Sequence, residues 1–212
     1  MTTQTVKVGI CGLGTVGQGV IALLSEGGDV LSNRVGGTIE LVHVATRTPK
    51  PEVDTLGARD SRDVFDVARD PNVDVLIELI GGTTVAKELV VEAFNQGKHV
   101  VTANKALLAD HGDELFTLAE SKGVALRFEA AVAGGIPVIE AVKTSLAGNH
   151  VSSVAGIING TGNFILTEMA AKGREFSDVL AEAQALGYAE ADPTFDVDLS
   201  LIHISEPTRQ SK

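Results

Sequence analysis

Tryptophan is absent, and cysteine and tyrosine occur once each among the 212 residues. A lone Cys11 closes no internal disulfide, so a cross-linked secreted scaffold is excluded and the core must come from aliphatic burial. Cations are scarce as well: 17 Lys and Arg against 28 Asp and Glu leave a net charge of −11. No basic cluster stands out, which argues against nucleic acid as a partner. Long apolar runs are also missing, each being broken by Gly, Glu or Asp before reaching the ~20 residues that would cross a bilayer. The opening MTTQTVKVGI carries neither a basic stretch nor an apolar segment for export, so a cytoplasmic protein with no membrane attachment is expected.

What the chain does have is an alternation of short β-branched runs and helical periodicity. VKVGIC, from Val6 to Cys11, predicts a strand, and QGVIALLSEG after Gly17 a helix. Further strands are expected over 39–46, 73–80 and 99–102 and in VALRFEA, with helices over 85–96 and 106–121 between them. The segment 52–71 is charged and poorly periodic. This order predicts an α/β fold with a doubly wound parallel sheet. Gly134, Gly135 and Pro137 then mark a bend, placing a domain boundary after residue 133. Beyond it, helices are expected over 139–146, 164–171 and 177–186 and a strand over 151–158. These belong to a partial second domain, 134–198, followed by a polar, weakly patterned tail, 199–212.

The first strand runs directly into GLGTVG and then into a helix, the context that makes this glycine pattern informative. Gly12 permits the tight turn, Gly14 lets backbone approach a pyrophosphate, and Gly17 lets helix and strand pack closely. Leu13, Thr15 and Val16 complete the turn, and the free amides at the helix start suit an anion despite the acidic composition. The alternative is an ordinary glycine-rich turn without ligand. A nucleotide triphosphatase is disfavoured, because the Gly-Lys-Ser or Gly-Lys-Thr ending of a phosphate loop is missing. Cys11, small and apolar, belongs to packing rather than chemistry.

At the end of the second strand, where an NAD site usually offers a carboxylate to the ribose, the sequence has Arg47 and then Lys50. These favour a 2′-phosphate and hence NADPH, with NADH still possible; a solvated loop charge is the competing reading of Arg47. Lys105, in HVVTANKALLA, stands just past a strand's carboxyl end, where ligands of open α/β sheets collect. There an ammonium could stabilise charge developing on a carbonyl oxygen, or it could be a surface lysine opening a helix. Glu129, Glu190, Asp192, Asp196 and Asp198 are equally open between solvated carboxylates and partners for a substrate amino group.

GLGTVG, IELIGG, HVVTANKALLA, FEAAVAGGIPVIEA, GIINGTGNFIL and GYAEADPTFDVD, in this order, are far more specific than the glycine fingerprint, and the chain resembles homoserine dehydrogenase from about Val6 to Asp198. The resemblance implies a Rossmann-type coenzyme domain joined to an α+β substrate and dimerisation domain. It implies reversible NAD(P)H-dependent reduction of L-aspartate 4-semialdehyde, a small-molecule substrate, to L-homoserine, on the route to threonine, methionine and isoleucine. It also implies an active-site role for Lys105, substrate contacts at Glu190 and Asp196, and an approach of Gly160–Asn163 and Gly187 to coenzyme or substrate. A monovalent cation, sodium in many members, is implied at Glu129, Val132, Gly134 and Ile136, and a homodimer is implied for the full-length family.

The pattern breaks after FDVD. The family continues with Gly and Asp and then a helix carrying a second active-site lysine; here LSLIHISEPTRQSK follows, and Ser205 falls where that lysine is expected. The expectation is therefore a truncated chain with a foreign or disordered tail. The alternative to an active dehydrogenase is a catalytically silent, NADP-binding fragment that has lost its dimer scaffold.

Overall fold

The computed structural model describes residues 4–156, 159–186 and 188–189. It divides into two compact units, Met1–Ala147 and Gly148–Lys212.

The first unit is built on six parallel strands: β1 (Gln4–Cys11), β2 (Gly37–Ala45), β3 (Arg59–Ser61), β4 (Val75–Glu78), β5 (His99–Thr102) and β6 (Leu126–Arg127). Their order in the sheet is β3-β2-β1-β4-β5-β6, so the winding reverses between β1 and β4, as the expected doubly wound fold requires. The connecting helices are α1 (Thr15–Glu26), α2 (Gly28–Val35), α3 (Val64–Arg69), α4 (Thr84–Asn95) and α5 (Lys105–Lys122). Ile21 of α1 packs with Val8, Ile10, Leu41 and Val44 on one face. On the other face, Val67 of α3, Leu89 and Phe94 of α4 and Leu107 and Leu115 of α5 close over Leu76 and Val100. Helices α1, α4 and α5 bury apolar residues of the kind their periodicity predicted, and burial of such side chains contributes roughly 1.5–3 kcal/mol apiece.

Two elements depart from the expectation for 52–71. Arg59–Ser61 joins the sheet edge beside His43–Ala45, and α3 follows, capped by Asp63, whose Oδ1 accepts from Phe65 N at 2.9 Å. Neither carries enough period to be seen in sequence; β3 exists because β2 offers it a ladder. The strand expected over 151–158 is not formed across 151–156, while 157 and 158 lie outside the described residues. Val151 and Val154 are exposed, and without a hydrogen-bonded neighbour β-branched residues alone do not make a strand.

After β6 come a 3₁₀ turn (Glu129–Ala131) and α6 (Val138–Glu140), which continues as a π-helical turn, Ala141–Ser145. The Glu129 carboxylate accepts from Ile139 N and Glu140 N, both at 2.9 Å. This clasp ties α6 to the end of the sheet, within the first compact unit, which runs to Ala147. In the second unit the described residues form a helix pair, α7 (Gly160–Lys172) and α8 (Phe176–Ala185), packed through Ile165, Val179 and Ala183. Asn159 caps α7 by accepting from Gly162 N at 2.8 Å, so that helix starts earlier than its apolar period indicates.

Candidate coenzyme site

Strand register sets the frame. Ala45 pairs with both Cys11 and Ser61, Cys11 with Glu78, and Glu78 with Thr102, so these five residues form one row across the sheet. Every segment leaving that row emerges at the same carboxyl edge. Arg62 follows Ser61, Arg47 lies two residues past Ala45, and Gly14, Gly81 and Lys105 lie three past Cys11, Glu78 and Thr102.

At the reversal of winding lies a cleft of about 560 Å³, lined by Gly12, Leu13 and Gly14, by Thr46, Arg47 and Lys50, by Arg62–Phe65 and by Leu79–Gly81. Gly12 has φ 105°, in the left-handed half of the map, and a Cβ there would stand 2.4 Å from Leu79 O. A Cβ on Gly17 would meet Gly12 O at 2.1 Å, whereas one on Gly14 would meet nothing within 4 Å. Gly12 and Gly17 thus shape the turn, and Gly14 faces open space. The first intrahelical bond of α1 is Gln18 N to Gly14 O, at 3.0 Å, which leaves the amides of Thr15, Val16 and Gly17 without intrahelical acceptors. Thr15 and Val16 are exposed at the helix start and Gly17 is buried beneath them. Leu13 turns its side chain into the core, and Gln18 Nε2 donates to its carbonyl at 3.1 Å.

Arg47 is exposed and holds no hydrogen-bond or ion-pair partner among the described residues. Lys50 Nζ stands 3.7 Å from Glu52 Oε1. Arg62, which the sequence reading overlooked, adds a third cation. Its guanidinium clasps Asp60 at 2.8 and 2.6 Å and donates to Thr46 O at 3.2 Å, so it is anchored where β2 and β3 end. Only the ladder between those strands brings Arg62 beside Arg47. Cys11 lies beneath the cleft floor, fully buried; burial, and then the carboxylates of Glu78 and Asp63, push its thiol pKa well up, which leaves it inert.

Lys105 opens α5 at the same edge, with its side chain exposed, though it is not among the residues lining the cleft. Its backbone is closely held. Asn104 Oδ1 caps α5 by accepting from Leu107 N at 3.0 Å, and Asn104 Nδ2 donates to Gly82 O at 2.6 Å. Of the positions implied for a cation, the Glu129 carboxylate clasps α6 and Ile136 O accepts from Val138 N at 2.8 Å; Gly134 has φ 59°. Among the described residues no group of His, Cys, Asp and Glu is arranged to hold a metal ion. Gly187, Glu190, Asp192, Asp196, Asp198 and the tail 199–212 lie outside the described residues. No described helix is long and apolar enough to cross a membrane.

Comparison with known proteins is specific. Residues 12–129 match the family model for the NAD-binding domain of homoserine dehydrogenase, and residues 137–199 match that for homoserine dehydrogenase itself. The chain is 60% identical to homoserine dehydrogenase of Pseudomonas aeruginosa over 195 residues, covering 92% of this chain and 45% of that protein. To the Neisseria gonorrhoeae enzyme it is 52% identical, with the same two coverages. The crystal structure of a homoserine dehydrogenase from Thiobacillus denitrificans superposes with a TM-score of 0.87 at 50% identity, over 92% of this chain and 46% of that one. The chain thus spans a little under half the length of these relatives. A coenzyme-type glycine turn, winding that reverses above it and matched family segments on both sides of residue 130 all agree: the chain belongs to the homoserine dehydrogenase family.

Proposed function

We propose that this chain carries the coenzyme-binding domain and the first part of the substrate domain of a homoserine dehydrogenase, acting in the reversible reduction of L-aspartate 4-semialdehyde to L-homoserine that leads to threonine, methionine and isoleucine. The observation that carries the reading is the cleft at the winding reversal, where an open Gly14 at the start of α1 shares the lining with Arg47, Lys50 and Arg62. The cradle fits a dinucleotide. Amides of Thr15, Val16 and Gly17 hold the pyrophosphate at the positive end of the helix. Arg47 and Arg62, with Lys50, take up a ribose 2′-phosphate, which makes NADPH the preferred coenzyme over NADH.

A reduced nicotinamide bound in this cleft would supply a hydride for the aldehyde carbon. The carbonyl oxygen would then carry negative charge until it takes a proton from solvent, and the Lys105 ammonium, at the same sheet edge, would stabilise that charge. Glu190 and Asp196 would pair with the substrate ammonium, and Gly187 would belong to a segment that meets the coenzyme or substrate. Oxygens of Glu129, Val132, Gly134 and Ile136 would hold a sodium ion, as hard donors of the kind such an ion takes. The whole enzyme works in the cytoplasm as a homodimer.

Because the chain spans under half the length of its relatives, binding and turnover are separate questions. Titration by coenzyme fluorescence should give NADPH a Kd on the order of tenfold below that of NADH, with Arg47→Ala erasing most of the difference, the scale of a charge-assisted hydrogen bond. Tighter NADH binding would overturn the coenzyme assignment. An assay with aspartate semialdehyde then separates an active dehydrogenase from a chain that binds coenzyme without turnover.

A further inference from the structure

An acidic residue interrupts the apolar run of β4, and its place in the fold gives it work. Glu78 is fully buried, with no cation paired to it among the described residues. Its two carboxylate oxygens are divided between two loops: Oε1 accepts from Ile80 N at 2.9 Å, and Oε2 accepts from Thr102 Oγ1 at 2.5 Å. Thr102, also fully buried, in turn accepts from Asn104 N at 3.0 Å. Asn104 returns to the first loop through Gly82 O and caps α5 through Leu107 N. The circuit Glu78–Ile80–Gly82–Asn104–Thr102–Glu78 is closed. One arm, Ile80 and Gly81, lines the coenzyme cleft; the other carries Lys105.

We propose that Glu78 is a positioning residue that locks the β4 loop to the β5 loop, fixing the cleft wall and the Lys105 backbone relative to each other. This inference rests on the coenzyme reading of the cleft. The chemistry calls for a carboxylate. The Thr102 hydroxyl accepts from Asn104 N and donates its single proton to Glu78, while Ile80 N–H needs a second acceptor. A glutamine cannot serve both. With its oxygen on Thr102, its amino group faces the Ile80 amide; with its oxygen on Ile80, the Thr102 proton has no acceptor. Either orientation leaves a buried donor unsatisfied.

The test uses the full 212-residue chain with E78Q, T102V and T102S and two readouts. In hydrogen exchange, E78Q should speed the amides of Ile80, Asn104 and Leu107 together while Leu76, inside β4, stays protected. T102V should do the same, E78Q/T102V should add little beyond either, and T102S, which keeps the hydroxyl, should match the parent. In NADPH titration E78Q and T102V should each weaken binding on the order of tenfold, as expected when a positioning contact is lost, and T102S should restore parental affinity. Uniformly faster exchange that includes Leu76, or loosening of Ile80 alone in E78Q, would overturn the proposal. So would parental NADPH affinity in E78Q. If the parent itself binds no NADPH, the coenzyme reading fails, and the exchange pattern alone decides whether Glu78 locks the two loops.

Discussion

At Gly17 one methyl group would be decisive, because the obstacle is backbone rather than a side chain that could rotate away. An alanine Cβ there would sit 2.1 Å from Gly12 O, so either the turn or α1 must move. Overpacking of this kind costs about 1–3 kcal/mol. Gly17→Ala should therefore lower the melting temperature by several degrees, roughly 2–8 °C for a domain of this size, and abolish measurable NADPH binding by displacing the α1 amides. Gly14→Ala is the informative partner, since its Cβ meets nothing within 4 Å in the protein. It should keep the parental melting temperature and still lose affinity, because the new methyl occupies the approach to the pyrophosphate. Thermal unfolding and coenzyme titration of both variants check this, and a Gly14→Ala chain that binds like the parent would show that no ligand passes there. The turn-shaping parts of Gly12 and Gly17 were legible in sequence, because the positive φ of Gly12 and the approach of Gly17 to Gly12 O are local. That of Glu78 was not: its partner Thr102 is brought to it only by the β4–β5 pairing.

Among elements, the least legible were the short ones, and a buried polar cluster holds them in place. His43 of β2 and Asp70, the residue after α3, meet at 2.8 Å between Nδ1 and Oδ2. With Asp70 as acceptor, Nδ1 carries the proton and His43 Nε2 is left without a hydrogen-bond partner among the described residues. Lys98, buried after α4, donates to Asp70 O at 2.6 Å and Val73 O at 2.7 Å, and burial lowers its pKa. Burial also pushes the Asp70 carboxyl pKa up, but hydrogen bonds from Asn72 and His43 outweigh it and hold the group below the ordinary carboxylate value. The folded state therefore binds this proton more weakly than the unfolded chain does. Its stabilisation is complete above the unfolded pKa of about 3.9 and is lost as pH falls through the lower folded value. Urea unfolding of the parent should accordingly lose stability through that acidic window, and Asp70→Asn should flatten the loss while lowering stability near neutrality. Equal pH slopes in the two proteins would remove Asp70 from the account. The longer helices α4 and α5 needed no such help to be seen, since twelve and eighteen residues carry their period plainly. For β3, at three residues, no pattern exists to be read.

On the scale of the whole molecule, the chain carries a net charge of −11 yet gathers Arg47, Lys50 and Arg62 at one end of the sheet. Attraction across a few ångströms survives salt better than repulsion from distant carboxylates, but both are screened once the Debye length falls to ~8 Å at physiological ionic strength. Coenzyme affinity should drop with added salt more steeply for NADPH than for NADH, since only the former presents a 2′-phosphate to the three cations. Titrations at low and high ionic strength measure this, and parallel slopes would mean that the cations do not contact that phosphate.

Local pattern was sufficient for the glycine turn, the long helices, the apolar strands and the family motifs, because φ preference, helical period and strand composition are properties of contiguous residues. Sheet order, the joining of Arg62 to Arg47, the Glu78 circuit and the extension of the first compact unit to Ala147 were decided by the tertiary structure. Each depends on hydrogen bonds between segments distant in the chain, and no contiguous stretch of sequence specifies the partner that completes them.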